Sequence, residues 1–370
     1  MKKKIFFYCG DGNSLINFRG HLIKKFIKNQ FDVYANCPNI TDQNYKILTS
    51  WGVKLVSSDI QRKNINVISS LIELFQLISN LKKIKPNIIF SYTHKPLLVG
   101  ALAGYLSRVP MIVSLVTGTG HLFDANNLRT KTRKFFGLKL FKIALKISNK
   151  IIFQNPDDLK LFLDLNLATK DNCSIVNGSG VDLDAFPYTP LPHKKTFLCL
   201  ARLIASKGLI EYANAARSIK QTYPEYNFLL GGPIDHHSDS ISLEDVLSWK
   251  KEYGVEYIGN ISNPAEAIQQ CDIYVLLSYN EGTPRSVLEA LSIGRPIITT
   301  DTSGCRETVI HGKNGYLATV KDYCSSAYFM EEIIKSDLNA MSMESRRLAE
   351  LKYDVHKVNN QIFRILEIDA

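Results

Sequence analysis

Two glutamates, Glu281 and Glu289, flank the start of a predicted helix in the second half of the chain. Thr283 is a typical N-cap residue, Pro284 suits the first helical position, and Gly294 is a typical helix stop. The N-terminus of such a helix favours an anion, because its first backbone N–H groups and its dipole point toward the ligand. Carboxylates beside that anion can accept hydrogen bonds from vicinal sugar hydroxyls. The pattern therefore indicates a site for a phosphorylated sugar.

Two cations, Arg202 and Lys207, follow the apolar run Phe197–Ala201. The run predicts a strand, and ligands of parallel α/β sheets bind beyond the carboxyl ends of the strands. Positive charge at that edge stabilises a departing diphosphate. Taken alone, the cations would be ordinary surface residues of a basic protein, and the glutamates a loop charge and a solvated helix residue. Together the two patterns favour a diphosphate site lined by carboxylates.

Apolar runs of strand length recur along both halves of the chain, separated by segments of helix length. This alternation predicts two parallel, doubly wound α/β sheets. The predicted strands are Ile5–Cys9, Val33–Asn36, Ile88–Tyr92, Met111–Val116 and Ile151–Gln154 in the first half, and Phe197–Ala201, Phe228–Leu230, Val255–Ile258, Ile273–Leu277 and Pro296–Thr300 in the second.

The length of 370 residues exceeds what one hydrophobic core usually supports, so we expect two domains. The segment Phe186–Lys195 contains three prolines and predicts the linker between them. We therefore expect an N-terminal domain over residues 1–186 and a C-terminal domain over residues 187–345. Residues 346–370 are helical in pattern, and this segment is expected to cross back to the first domain.

Small and acidic residues recur at set intervals between Tyr279 and Pro296, with seven residues between Glu281 and Glu289. This spacing resembles the signature of the retaining glycosyltransferases of family 4. The resemblance implies the GT-B fold, in which two Rossmann-like domains face each other across a cleft. The positions shared with the signature are Glu281, Gly282, Pro284, Glu289, Ala290, Gly294 and Pro296.

The resemblance implies a role for each of these residues. Glu281 would hold the hydroxyls of the donor sugar, and Glu289 would hold the ribose of its nucleotide. Arg202 and Lys207, whose spacing the family shares, would grip the donor diphosphate in place of a metal ion. Catalysis would then need neither metal nor cofactor, and the acceptor would attack from the face that the diphosphate leaves. The other implied donor contacts on this helix start are Gly282, Thr283, Pro284, Ser286 and Val287.

Turns after other predicted strands complete the expected donor site. Gly232 follows one strand of the second domain, and Ile261 follows another as the expected contact of the nucleotide base. In the first domain, Gly12 and Asn13 lie in a glycine-rich turn that can approach a phosphate or a sugar. Ordinary turn geometry explains these glycines equally well. The turn lacks the third glycine of a dinucleotide fingerprint, which disfavours an NAD-dependent enzyme.

His94 follows the predicted strand Ile88–Tyr92, where family members often carry a histidine close to the donor sugar. Whether it takes part in catalysis or only positions the donor stays open. Gly118 and Gly120 follow the next strand and are assigned to the acceptor side, although a mobile glycine loop explains them equally well. The segment Asn177–Phe186 resembles a family segment in the longer form found in bacterial glycan assembly, which implies a lipid-linked acceptor.

Residues 128–150 include eight basic residues and no acidic one, interspersed with aromatic and aliphatic side chains. A basic amphipathic helix suits an anionic bilayer, where a polyprenyl-diphosphate-linked sugar acceptor would lie. A helix that buries its apolar face and exposes its cations to water is the alternative, and both can hold together. The residues assigned to the acceptor or membrane side are Arg129, Lys131, Arg133 and Lys134.

The formal net charge of +10 indicates an anionic partner. Nucleic acid is disfavoured because no recognised binding motif is present. The seven cysteines are scattered without paired spacing and are expected to be reduced and buried. No apolar run approaches the roughly 20 residues that span a bilayer, and Asp11 interrupts a would-be signal peptide. We expect a cytoplasmic protein on the inner face of the plasma membrane.

The resemblance to family 4 implies a retaining transferase that moves a hexose or N-acetylhexosamine from a UDP-sugar, with UDP-GalNAc as the expected donor, to a lipid-linked glycan. Such transfer serves surface polysaccharide, O-antigen or glycoprotein glycan assembly. One alternative is a nonenzymatic sensor or scaffold that binds nucleotide-sugars, and another is a nucleotide-sugar epimerase of the same fold. Acceptor-dependent release of free nucleotide separates the three.

Overall fold

The computed structural model describes residues 2–38, 40–56, 67–119, 128–235 and 239–368, without the side chains of residues 67–68 and 128–136. The chain forms two compact units. Unit 1 comprises Met1–Ser179 and Val358–Ala370, and unit 2 comprises Gly180–Lys357. The unit boundaries therefore lie several residues from the predicted domain boundaries at 186/187 and 345/346.

Unit 1 contains a seven-stranded parallel sheet in the order β3-β2-β1-β4-β5-β6-β7. Its strands are β1 (Lys4–Tyr8), β2 (Asp32–Asn36), β3 (Lys54–Leu55), β4 (Ile88–Tyr92), β5 (Met111–Val116), β6 (Lys150–Phe153) and β7 (Cys173–Ile175). Its helices are α1 (Gly12–Lys28), α2 (Asp42–Ser50), α3 (Val67–Ile84), α4 (His94–Leu106), α5 (Leu128–Lys146) and α6 (Pro156–Asp164).

Successive side chains along the strands of unit 1 point to opposite faces of the sheet, so the unit has two hydrophobic cores. Ile5 and Phe7 of β1 pack on one face of the sheet with residues of α1 and α2. Phe6 and Tyr8 pack on the other face with residues of α3, α4, α5 and α6. Both faces are covered by helices, which explains why the strands appear in the sequence as continuous apolar runs.

Unit 2 contains a six-stranded parallel sheet in the order β10-β9-β8-β11-β12-β13. Its strands are β8 (Thr196–Leu200), β9 (Asn227–Gly231), β10 (Val255–Tyr257), β11 (Ile273–Leu276), β12 (Ile297–Thr300) and β13 (Gly315–Ala318). Its helices are α7 (Leu209–Thr222), α8 (Leu243–Glu252), α9 (Pro264–Gln269), α10 (Arg285–Ile293), α11 (Tyr323–Lys335) and α12 (Leu338–Leu348), and a π-helical turn covers Ala349–Tyr353.

The direction of winding reverses between β8 and β11, which are neighbours in the sheet of unit 2. Such a switch point opens a crevice at the carboxyl ends of the two strands, and ligands of doubly wound sheets bind there. The loops that follow β8 and β11 carry Arg202, Lys207 and Glu281. The topology therefore places the predicted chemistry at the crevice of unit 2.

The last helix, α13 (Val355–Ile365), returns the chain to unit 1, which confirms the predicted crossing. Ile362 and Phe363 are fully buried in the core that contains α1. The rings of Phe363 and Phe26 lie 4.6 Å apart between centroids. The C-terminal residues are thus part of the hydrophobic core of unit 1.

The proline-rich segment Phe186–Lys195 is not a free linker, because it packs within unit 2. Arg295, a fully buried cation, donates hydrogen bonds to the carbonyl and hydroxyl oxygens of Thr189 at 2.8 and 2.6 Å. Ser292 donates to the carbonyl of Phe186 at 2.5 Å. This segment therefore offers backbone and side-chain acceptors to two buried donors, Ser292 of α10 and Arg295 two residues beyond that helix.

No helix within the described ranges has the length and apolar run needed to cross a membrane. All seven cysteines lie in described ranges and are free thiols. Five of them are buried as predicted, but Cys173 is half-buried and Cys324 is exposed. Burial was therefore predicted wrongly for these two.

The substitution Phe363→Ala should lower the free energy of unfolding by about 3–5 kcal/mol, because it leaves a cavity beside α1. Arg364→Ala is the matched control, since Arg364 lies next to it on the same helix but is exposed. We expect the control to stay within about 0.5 kcal/mol of the wild type. Urea denaturation followed by circular dichroism measures both. Equal stability of the two variants would contradict the packing described for α13.

Candidate active site

The loops after β8 and β11 pack directly against each other. The backbone N–H of Tyr279 donates to the carbonyl of Ser206 at 2.9 Å. Gly208 has a φ of 70° and lies so close to β11 that a Cβ atom would come within 2.0 Å of the carbonyl oxygen of Leu277. Only glycine adopts this conformation at this distance without strain. The backbone of the two loops is thereby held in one arrangement.

Lys207 and Glu281 form an ion pair across these loops, Nζ to Oε1. Both side chains are 18% exposed, so the pair is shielded from water on most sides. Lys207 ends a short 3₁₀ turn, Ala205–Lys207, which precedes α7. The structure thus brings together two residues that the sequence assigned to the diphosphate and to the sugar of one donor.

Arg202 follows β8 directly and pairs with Asp235, at 2.7 Å between Nη1 and Oδ2. Its side chain is 54% exposed, whereas that of Asp235 is 22% exposed. Asp235 was not predicted from the sequence, although this residue ends the turn that carries Gly232. An acidic residue at the end of a predicted ligand-side turn is the signal that could have identified it.

The helix α10 begins one residue later than predicted. Pro284 occupies the N-cap position with φ −72° and ψ 110°, and no side chain caps the helix. Thr283 was predicted as the N-cap, but its hydroxyl donates to the carbonyl of Gly282 at 2.8 Å instead. The extended ψ of Pro284 moves the helix start past it. The predicted stop is confirmed, because Gly294 is left-handed with a φ of 88°.

Glu289 is 7% exposed, so it is not the solvated helix residue of the alternative interpretation. Its carboxylate pairs with Arg285 one turn earlier, at 2.7 Å between Oε1 and Nε. Burial raises the pKa of Glu289, and the guanidinium of Arg285 partly opposes that rise. A buried carboxylate held by one cation keeps an oxygen for a ligand hydroxyl, as the ribose assignment requires.

Ser286 and Val287 lie on the first turn of α10, as the sequence analysis expected. Val287 is fully buried, and its backbone N–H donates to the carbonyl of Pro284 at 3.1 Å. The loop after β12 supports this region from the other side. A Cβ atom at Gly304 would lie 2.3 Å from the carbonyl oxygen of Glu281. Gly304 escaped the sequence analysis because its role is a close approach between distant loops.

Gly232 and Ile261 lie beyond the carboxyl ends of β9 and β10, on the same edge of the sheet. A Cβ atom at Gly232 would lie 1.9 Å from the carbonyl oxygen of Ala201, so the turn presses on the loop that carries Arg202. A Cβ atom at Gly231 would lie 2.8 Å from Cγ1 of the half-buried Ile261. The position of Ile261 suits a contact with a nucleotide base, which stays a prediction.

In unit 1, Gly12 and Asn13 start α1 and His94 starts α4. The preceding strands, β1 and β4, are the neighbours at which the winding of this sheet reverses. The Asn13 side chain accepts a hydrogen bond from Asn44 at 2.6 Å. The half-buried His94 ring lies 6.0 Å from the Phe141 ring between centroids. The three predicted residues therefore share one edge of the first sheet.

The structure covers the predicted acceptor side in part. Gly118 follows β5 with a φ of 120°. The other acceptor-side predictions, Gly120 and the side chains of Arg129, Lys131, Arg133 and Lys134, lie outside the described residues.

The second half of α5 has two distinct faces. Phe141, Ala144 and Leu145 are buried in the core of unit 1. Leu140 and Ile143 are 45% and 49% exposed. The exposed cations of the same half helix are Lys139, Lys142 and Lys146. The helix therefore packs one face into the core and exposes its cations together with two apolar side chains, and its contact with a bilayer stays a prediction.

No three His, Cys, Asp or Glu side chains lie together as a metal site within the ranges that the structure describes. Metal independence stays a prediction, because it concerns the reaction.

Two family models match the chain. Residues 184–349 match the model for glycosyl transferases group 1, and residues 7–155 match the model for glycosyl transferase 4-like proteins. The matched ranges lie mainly in unit 2 and unit 1, respectively.

Two bacterial glycosyltransferases are among the curated proteins with related sequences. The chain is 29% identical over 333 residues, 86% of either chain, to the N,N'-diacetylbacillosaminyl-diphospho-undecaprenol alpha-1,3-N-acetylgalactosaminyltransferase of Campylobacter jejuni. It is 24% identical over 302 residues to the UDP-Gal:alpha-D-GlcNAc-diphosphoundecaprenol alpha-1,3-galactosyltransferase of Escherichia coli, covering 77% of this chain and 76% of that one.

Solved structures show the same fold. HepE of Anabaena, crystallised with UDP, superimposes with a TM-score of 0.76 at 18% identity over 99% of both chains. Sucrose-phosphate synthase of Thermosynechococcus elongatus superimposes with a TM-score of 0.80 at 15% identity, over 99% of this chain and 98% of that one. At such identities the likeness establishes the fold alone, which is GT-B as expected.

The substitution Arg285→Met should raise the pKa of Glu289 further, because it removes the cation beside a buried carboxylate. The folded-state pKa of Glu289 already lies above the ordinary value. Glu289 therefore favours folding below its unfolded pKa, and this contribution is lost as the pH rises through the folded pKa. We expect the free energy of unfolding to fall by about 2 kcal/mol at pH 8 and by less at pH 5. This loss is smaller than that for breaking a fully buried ion pair, because Arg285 is partly exposed.

Urea denaturation at both pH values measures this effect, and the double variant with Glu289→Gln should recover most of the lost stability. A loss that is equal at both pH values, or that persists in the double variant, would show that Arg285 acts through something other than the charge of Glu289.

Proposed function

The chain belongs to the family-4 type of glycosyltransferases, and on this premise we propose that it transfers N-acetylgalactosamine from UDP-GalNAc to a polyprenyl-diphosphate-linked sugar, with retention of configuration. The observation that carries the proposal is the contact between Lys207 and Glu281 at the switch point of unit 2. A cation for a diphosphate and a carboxylate for a sugar meet there beside the N-terminus of α10.

This contact accounts for how one donor would occupy both groups. A diphosphate oxygen bound by Lys207 lies within reach of a sugar hydroxyl bound by Glu281, because the two side chains touch. Arg202 adds a second positive charge next to the turn that carries Gly232. Glu289 would accept the ribose hydroxyls from its buried position. The first turn of α10, which includes Ser286, and the preceding residues Gly282 and Thr283 would supply backbone dipoles for the phosphates.

In the proposed reaction, the acceptor hydroxyl oxygen forms a bond to the anomeric carbon as the bond from that carbon to the UDP oxygen breaks. Both events take place on one face of the sugar. The proton of the acceptor passes to the departing diphosphate. Arg202 and Lys207 stabilise the charge that develops on UDP, so no metal ion or cofactor takes part. His94, Gly12 and Asn13 stay predictions as substrate contacts and lie at one edge of the sheet of unit 1.

The substrates are proposed from the relatives. The names of the Campylobacter and Escherichia coli enzymes both specify a sugar attached to diphosphoundecaprenol as acceptor. N-Acetylgalactosamine is proposed as the transferred sugar because the Campylobacter enzyme is similar to the chain at 29% identity over most of its length. Assembly of surface polysaccharide or glycoprotein glycans would use such a product.

The described half of α5 supports a bilayer surface as the place of action. Lys139, Lys142 and Lys146 are exposed together with Leu140 and Ile143. Cations of this kind are attracted to anionic lipid headgroups, and neighbouring apolar side chains insert at the interface. We place the cytoplasmic leaflet of the plasma membrane against this face.

The substitution Glu281→Gln should lower the rate of transfer by about 10²–10³-fold. It removes the negative charge that orients the donor sugar but keeps the shape of the side chain. Release of UDP from UDP-GalNAc, with and without an undecaprenyl-diphosphate-linked sugar and with EDTA present, measures the rate. Glu244→Gln is the matched control on the exposed first turn of α8. We expect this control to transfer at the wild-type rate.

Each alternative has its own outcome in that assay. Donor binding without transfer to the acceptor would indicate a sensor, and conversion of the donor without acceptor would indicate an epimerase. Loss of transfer in EDTA would contradict the proposed metal independence.

The substitution Ile143→Glu should weaken sedimentation with vesicles of phosphatidylethanolamine and phosphatidylglycerol by about tenfold, because it removes an inserting side chain and adds a negative charge. Leu351→Glu is the control, since Leu351 is 64% exposed in unit 2. Equal binding of the two variants would contradict the placement of the bilayer at α5.

A further inference from the structure

Residues 232–235 and 239–241, which follow β9, contact the loop that carries Arg202 and Lys207. In the first range, the carbonyl of Pro233 accepts from the backbone N–H of Leu203 at 3.0 Å. In the second range, the N–H of Ile241 donates to the carbonyl of Leu203 at 2.9 Å. Both ranges therefore hold the loop through its backbone.

Asp239 makes two further hydrogen bonds, to consecutive residues of the 3₁₀ turn that precedes α7. Its carbonyl oxygen accepts from the N–H of Ala205 at 2.8 Å. Its carboxylate Oδ2 accepts from the N–H of Ser206 at 3.1 Å. The first N–H groups of a helical turn have no partner within the turn. Asp239 supplies these partners from a segment that lies 33 residues further along the chain.

The turn that Asp239 caps ends at Lys207, the residue after Ser206. Lys207 is the last residue of this turn, and the backbone changes direction at Gly208, which has a φ of 70°. The direction of the turn therefore determines where the Lys207 ammonium group lies. Glu281 holds the side chain of Lys207 on one side. The hydrogen bond from a backbone N–H to a carboxylate is charge-assisted and therefore strong. Asp239 is thus placed to fix where Lys207 presents its charge.

We propose that Asp239 is a positioning residue for Lys207 and thereby sets the preference of the site for a nucleoside diphosphate over a monophosphate. This inference rests on the proposed function, in which Lys207 binds the donor diphosphate. UDP and UMP share the uridine and the first phosphate, so their affinities differ through the second phosphate. In this proposal Lys207 binds that second phosphate. A displaced Lys207 therefore weakens UDP binding and leaves UMP binding nearly intact.

The test compares the affinities of the full-length chain for UDP and UMP by isothermal titration calorimetry. Asp239→Ala removes the carboxylate acceptor, and Asp239→Asn keeps an oxygen that can accept from Ser206. Ser242→Ala is the matched control, since Ser242 caps the adjacent helix α8 by accepting from the N–H of Asp245 at 3.0 Å. Urea denaturation of every variant accompanies the titrations.

For the wild type we expect UDP to bind at least about tenfold more tightly than UMP. Asp239→Ala should lower this ratio by about tenfold, with UMP affinity within about twofold of wild type. Asp239→Asn should keep most of the preference, and Ser242→Ala should keep all of it.

A variant Asp239→Ala that loses stability but keeps the wild-type preference for UDP would show a purely structural role and overturn the inference. So would equal losses for UDP and UMP. A wild-type chain that binds UMP as tightly as UDP would contradict the proposed diphosphate site itself, together with the inference that rests on it. The wild-type titration thus separates failure of the function from failure of the positioning role.

Discussion

The close approach of Gly208 to the carbonyl of Leu277 is the constraint on which the candidate site depends. Because no side chain fits between them, the loop after β8 and the loop after β11 share one backbone arrangement. That arrangement brings Lys207 against Glu281. It also sets the start of α10 beside both charges, so a diphosphate and the sugar attached to it would meet their ligands in neighbouring positions.

Charge within this site is balanced by pairs. Lys207 pairs with Glu281, Arg202 with Asp235, and Arg285 with Glu289. Pairing lets charged groups stay at a partly buried crevice, where an unpaired charge would be costly. Each pair also keeps a side chain in one direction. A phosphorylated ligand would then exchange one set of ionic contacts for another, and the backbone hydrogen bonds from Asp239 hold the loop during that exchange.

Several parts of this arrangement were predicted from the sequence, because their signals are local. Ten strands appear as continuous apolar runs, whereas β3, β7 and β13 escaped prediction as short strands at sheet edges. Glu281 and Glu289 were identified from one motif. Asp239 was missed, since its partner lies 33 residues away and no local pattern marks such a contact. Asp235 was also missed, although its place at the end of a ligand-side turn is a local signal. The proline-rich segment was misassigned as a linker, because the buried Arg295 that binds it lies about a hundred residues further along the chain.

We propose that the chain extends a polyprenyl-diphosphate-linked sugar with the sugar of a UDP donor. Mass spectrometry and proton NMR of the lipid, recovered after incubation with UDP-GalNAc and an undecaprenyl-diphosphate-linked hexosamine, test this transfer. We expect a lipid heavier by one N-acetylhexosamine, joined in the alpha configuration of the donor. A lipid of unchanged mass while the donor is consumed, or a product in the beta configuration, would rule out retaining transfer to this acceptor.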